Sequence, residues 1–100
     1  MPTLTLTATD WLYVVVQNPE TDSQIVGQHD EALDVHFIPA FTSKEDAQQG
    51  LLQLPTSRGA KYEVQAIILE DLHRYASDKA YMLFVLDADG RIKEQIAPLA

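Results

Sequence analysis

One hundred residues, 46% of them apolar and none cysteine, make a single compact domain without disulfides, thiolate nucleophiles or Cys-based zinc sites, because a second core would leave each half below roughly 50 residues. The net charge of −8 is spread unevenly: residues 1–43 hold six acids and no base, and residues 44–100 hold nine acids and seven bases. That balance excludes the basic footprint required by double-stranded nucleic acid or an anionic membrane surface, and no apolar run nears the roughly 18 residues of a membrane span.

Residues 1–10 read as an extended arm or edge strand. Thr3, Thr5 and Thr7 alternate with Leu4 and Leu6, turning leucine to the body and threonine to water. The start Met1-Pro2-Thr3-Leu4 carries no positive leader segment, so the cytoplasm is the expected address. Trp11-Leu12-Tyr13-Val14-Val15-Val16 is continuously apolar and β-branched, the pattern of a strand buried on both faces. A strand over 24–28 folds back on it through Asn18-Pro19-Glu20-Thr21-Asp22. Residues 35–41 form the next strand, with Val35, Phe37 and Phe41 on one face; Pro39, lacking a ladder donor, marks its end as an edge or exit.

Thr42-Ser43-Lys44-Glu45 carries a capping-box signature, and the helix it opens keeps Ala47, Leu51 and Leu54 in register before Pro55 stops it. The strand from Lys61 to Leu69 alternates, Tyr62, Val64, Ala66 and Ile68 against Lys61, Glu63 and Gln65. A short helix from Glu70 to Lys79 places two carboxylates at its positive end and Leu72, Tyr75 and Ala76 on one face. Tyr81-Met82-Leu83-Phe84-Val85-Leu86 is a second apolar inner strand, and Asp89-Gly90 turns it into a brief return strand at Arg91-Ile92-Lys93. The predicted order is β-β-β-α-β-α-β-β. It describes an α+β domain with a single mixed or antiparallel sheet of five to six strands and two helices on one face.

Few strings carry chemistry. Phe84-Val85-Leu86-Asp87-Ala88-Asp89-Gly90 resembles the first motif of haloacid-dehalogenase-like phosphatases, in which the first aspartate attacks phosphorus. Ten residues after Gly90 leave no room for that family's downstream motifs, and Arg91 and Lys93 occupy positions a calcium loop needs for ligands. The reading is a hairpin turn. His29, Asp34 and His36, with Asp30 and Glu31 between them, supply donors suited to zinc or a first-row metal. Their spacing is that of an acidic turn entering a strand, so no metal and no cofactor is predicted. Arg58 and Lys61, in the loop that Gly59 turns, together with Arg74, are the candidate anion-binding residues. His73 reads as a surface residue of the second helix. Ser23, Ser43, Ser57 and Ser77 fall in turns or caps, where hydroxyls bond local backbone, so no nucleophile constellation is formed and the chain does not read as an enzyme.

Phe37-Ile38-Pro39-Ala40-Phe41-Thr42-Ser43-Lys44-Glu45-Asp46-Ala47 resembles the strand, Pro, x, Phe-Thr-Ser, acidic, Ala signature of the SseB-like domains, small bacterial proteins named for enhanced serine sensitivity. Leu69-Glu70-Asp71-Leu72 followed by Tyr81 to Leu86 is similar to that family's short helix and closing strand, so the resemblance covers residues 11–90. It implies an α+β fold without a known catalytic motif, in a family of largely unassigned function.

Two strands apolar on both faces, with two helices on one face only, leave the other face to be covered. A second copy of the chain, the arm or an unknown protein partner would do so. The expected function is therefore a non-catalytic interaction or regulatory module, a homodimer with Trp11 and Tyr13 at its interface. The alternative is a small-ligand or metal-binding domain.

Overall fold

A computed structural model describes residues 7, 9–20, 24–52 and 59–98. In chain order the elements are β1 (Trp11–Gln17), β2 (Gln24–Ile25), β3 (Gln28–Asp30), β4 (Val35–Phe41), α1 (Lys44–Leu51), β5 (Tyr62–Ile68), α2 (Leu69–Asp78), β6 (Met82–Leu86) and β7 (Ile92–Ile96). The described residues form one mixed, open, seven-stranded sheet with two helices, an α+β fold. Its spine runs β5-β1-β4-β6-β7, antiparallel throughout except for the parallel pair β4 and β6. The strand count exceeds the expected five to six because the segment over 24–28 is not one strand: β2 pairs with β1, and β3 pairs with β4.

Pro39 accounts for that split. β1 and β4 pair only at Tyr13↔Phe41 and Val14↔Ala40, and the next pairing in that register would set Val15 opposite Pro39, which has no N–H to give. Val15 instead accepts from the Val26 N–H at 2.8 Å. The two strands part there, and β2 and β3 fill the opening. Pro39 is thus fully buried in an interior strand rather than at an edge or exit. It is tolerated because the sheet opens on the side where its donor is missing.

The helices lie on opposite faces, which corrects the expectation of a shared one. Leu69, Leu72 and Ala76 of α2 pack with Leu12, Val14, Val16, Ile38, Ala40 and Leu83. Ala47 of α1 packs with Phe41, Phe84 and Leu86, the alternate residues of the same strands, joined by the half-buried Tyr13, Phe37, Val64 and Met82. The connection β4-α1-β5 crosses β1 in one direction, and β5-α2-β6 crosses back over β1 and β4. Right-handed crossovers in opposite directions put their helices on opposite faces. The second face therefore has its cover within the chain, and the apolar runs of β1 and β6 are explained without a partner.

Ser43 rather than Thr42 caps α1, its Oγ accepting from the Asp46 N–H at 3.1 Å. α1 ends at Leu51; Leu54 and Pro55 lie outside the described residues, as do residues 1–6 and 8 of the expected arm. α2 follows β5 without a loop and closes in a Schellman arrangement, with Tyr81 N–H on the Ala76 carbonyl at 2.8 Å and Ala80 N–H on that of Ser77 at 3.0 Å. That closure holds Ala80 at φ 58, where an L side chain is strained. Ala80→Gly is therefore expected to raise stability by about 1 kcal/mol, read as a higher urea midpoint. A lower midpoint would mean that the alanine methyl contributes packing that outweighs the strain.

Candidate functional site

The hairpin from β3 to β4 brings the two candidate histidines together. His29 and His36 are register partners. The Val26-to-Val15 bond fixes which β1 and β4 residues bond across the sheet, making His29 and His36 a non-hydrogen-bonded pair, the closer kind. Their ring centroids are 4.7 Å apart. Asp34, at φ 52 in the turn, reaches His29 Nε2 with Oδ1 at 3.0 Å, while His36 stacks on Tyr81 at 5.4 Å and 18°. One imidazole is thus engaged by a carboxylate and the other by a phenol ring. Among the described residues no group of three or more His, Asp or Glu is arranged to hold a metal ion.

Tyr81 also lines the neighbouring cavity. Where β2 leaves β1, the segment Gln24 to Gly27 faces the C-terminal turn of α2 across a space of about 230 Å³, bordered also by Gln17, Tyr75, Lys79 and Tyr81. A Cβ on Gly27 would stand 2.9 Å from Tyr81 Cε2, so any larger residue here has to displace the Tyr81 ring. Lys79 Nζ lies 5.2 Å from the Tyr75 ring centroid, within cation–π range. Residues from four separate segments build this cavity, and no contiguous string announces it.

The candidate anion residues do not converge. Lys61 Nζ lies 4.0 Å from Glu20 Oε2 and Arg74 Nη2 lies 3.3 Å from Glu70 Oε1, all of them exposed, so each cation faces its own carboxylate. Gly59 takes φ 85, as its turn requires, and Arg58 lies outside the described residues. His73 has a structural task unforeseen in the sequence: its Nε2 donates to the Ala97 carbonyl at 2.7 Å and ties the segment after β7 to α2.

Asp87 begins the predicted hairpin turn and spends its carboxylate on it. Oδ1 accepts from the Asp89 and Arg91 N–H groups, each at 2.9 Å, and Gly90 sits at φ 85. The bond from the Arg91 backbone, then that from Asp89 and the charges of Arg91 and Lys93, hold this carboxyl below the ordinary aspartate range. A depressed value in the fold means that the turn is held above the ordinary aspartate pKa and released as pH falls through the lower folded value. Acid titration by NMR is expected to move the Asp89 and Arg91 amides together in that window, and Asp87→Asn to abolish the step. Amides that titrate unchanged in Asp87→Asn would show that another group controls the turn.

At the opposite edge of the sheet, β5 pairs with β1 over seven consecutive residues without a shift. Among the described residues no further strand lies beyond it. Trp11, opposite Ile68 at that edge, is 57% exposed, whereas Tyr13 is half-buried with the residues beneath α1. Of the two candidate interface aromatics, Trp11 alone is presented to solvent. No described helix is long and apolar enough to cross a membrane. No family model, curated protein or solved structure matches the chain.

Proposed function

We propose that the protein is a non-catalytic interaction module of the cytoplasm that associates with itself, through the side of the sheet where Trp11 and β5 lie. The observation that carries this reading is Trp11, 57% exposed at the side of the sheet where, among the described residues, β5 is the outermost strand. Exposed indoles are enriched in interfaces. With the second face covered by α1, this side takes the place of that face as the contact surface. The SseB-like resemblance is compatible with the same class, since it implies a fold without a known catalytic motif. Light scattering and sedimentation from low to high micromolar protein test it. A mass twice that of the chain, lowered by Trp11→Ala, is expected; a monomer at every concentration would overturn self-association.

The cavity beside Tyr81 favours a second reading, the binding of a compact polar ligand. Lys79, Gln17 and Gln24 offer a charge and two amides, although about 230 Å³ falls below the roughly 300–1,000 Å³ of drug-sized sites. A thermal-shift screen of small carboxylates and phosphates tests it, because a ligand of the folded state raises the melting temperature by mass action. A shift that survives Lys79→Ala would place the ligand elsewhere.

A further inference from the structure

We infer that the cavity beside Tyr81 is a site for a compact monocarboxylate, its charge met by Lys79 Nζ and one of its oxygens by the Ile25 backbone N–H. This rests on the ligand-binding reading and names the ligand class and the groups that hold it. The donor follows from the sheet. Asn18 N–H to the Lys61 carbonyl at 2.7 Å and Leu69 N–H to the Asp10 carbonyl at 2.8 Å show that the even-numbered residues of β1 bond toward β5. Val26 N–H to the Val15 carbonyl at 2.8 Å shows that the odd-numbered ones bond toward β2. Ile25 stands opposite Val16, so its N–H and C=O point away from β1. His29, the non-hydrogen-bonded partner of His36, turns its backbone away from β4 in the same way. β2 and β3 thus diverge at Val26 and Gly27 with an opening between them, and the Ile25 N–H faces it beside the cavity that Ile25 lines. Among the described residues this N–H has no acceptor.

The charge of the cavity is opposite to that of the chain. The net charge is −8, yet among the described residues that line the cavity Lys79 alone is charged. Lys61 and Arg74 each face a carboxylate, whereas Lys79 Nζ lies over the Tyr75 ring and pairs with no carboxylate among the described residues. It therefore remains available to an anion. The anion that fits carries a single charge. The backbone N–H groups of Lys79, Ala80 and Tyr81 turn back on the Ala76 and Ser77 carbonyls, so the end of α2 adds no backbone donor, and the negative pole of the helix opposes further charge. One ammonium and one fixed N–H match the two oxygens of a carboxylate; a phosphate, with more oxygens and a greater charge, is left largely unpaired. Ile25, Tyr75 and Tyr81, packed at the border of the α2-face core, flank the remaining space. Its volume of about 230 Å³ equals the share of roughly seven or eight waters, room for an acid with a short apolar body.

Amide proton–nitrogen correlation spectra of the whole chain during addition of butyrate test the assignment, with butyramide, its neutral isostere, and inorganic phosphate as comparisons. Butyrate is expected to move the Ile25, Lys79 and Tyr81 amides along one saturable curve in the millimolar range, and the other two probes to bind at least about tenfold more weakly. Lys79→Gln, at an exposed position, is expected to weaken butyrate about tenfold and to remove its advantage over butyramide. Lys44→Gln, equally exposed but on α1 at the other face of the sheet, is the control and should change nothing. Butyramide or phosphate moving the same amides as tightly as butyrate overturns the carboxylate assignment and leaves the cavity a ligand site. Butyrate shifts that survive Lys79→Gln, or that leave the Ile25 amide still, overturn it likewise. No movement of these amides by any of the three probes also overturns it, and the thermal-shift screen then decides the cavity reading separately.

Discussion

Truncating Phe84 to alanine is expected to cost about 3–5 kcal/mol, a large share of the roughly 5–15 kcal/mol that holds a domain together. Phe84 sits in β6 with 1% of its surface exposed, its ring stacked on Phe37 at a centroid distance of 4.5 Å and 19°. Among the described residues the buried members of the cluster on the α1 face are Phe41, Ala47, Phe84 and Leu86. The cost includes any cavity that the half-buried neighbours Phe37, Tyr13 and Met82 do not close, as well as the lost transfer energy. Urea denaturation at constant slope reads the loss, and the melting temperature should fall by more than about 10 °C. Phe84→Leu, which retains most of the volume, should recover much of it. A loss below about 1 kcal/mol for the alanine variant would mean that the α1 face is not a packed core, and the two-sided description of the sheet would fail with it.

That two-sided core was written in the sequence more openly than the helix placement drawn from it. The runs at Trp11–Val16 and Tyr81–Leu86 signal strands buried on both faces, and β1 and β6 are such strands. Helical periodicity shows which side of a helix is apolar, but not which face of a sheet it covers. Face is set by the direction of each crossover, and direction depends on where β5 lies in the sheet. β5 joins beyond β1 through pairings between residues as distant in sequence as Trp11 and Ile68, which no local pattern encodes. Pro39 misleads for a similar reason: its missing donor predicts an interrupted ladder, and the interruption is there, yet only the tertiary arrangement shows that β2 and β3 fill it from inside.

The candidate residues divide along the same line. His29 and His36 are seven apart, and their meeting follows from a hairpin turn of four residues whose register was not readable beforehand. The cavity beside Tyr81 joins the end of β1, the segment from Gln24 to Gly27, α2 and the residue before β6, so it had no linear signal. β5 did have one. Its run of seven residues with a single charge and neither proline nor lysine is legible as a strand, while its outermost place among the described strands follows from its pairing with β1 alone.

Gly50→Ala should destabilise the protein by roughly 1–3 kcal/mol, against the sign that helix propensity gives. In an exposed helix interior the same change gains about 0.5–1 kcal/mol. Gly50, however, is buried on the sheet side of α1 with Ala47, and a Cβ built there would overlap the Phe41 ring, with Cε1 at 2.6 Å. Phe41 is 1% exposed and paired through its backbone to Tyr13, so its ring has no free direction in which to move. The strain falls instead on α1, eight residues long and held to the body by one short apolar stripe. Lifting it uncovers Phe41 and its neighbours beneath α1, so Gly50→Ala should bind a hydrophobic dye as well as unfold at lower urea. Gln49→Ala, one residue earlier at an exposed position, serves as the comparison and should be neutral or slightly stabilising. Equal gains from both substitutions would show that α1 does not rest on Phe41, and the second face of the sheet would again need a cover from outside the chain.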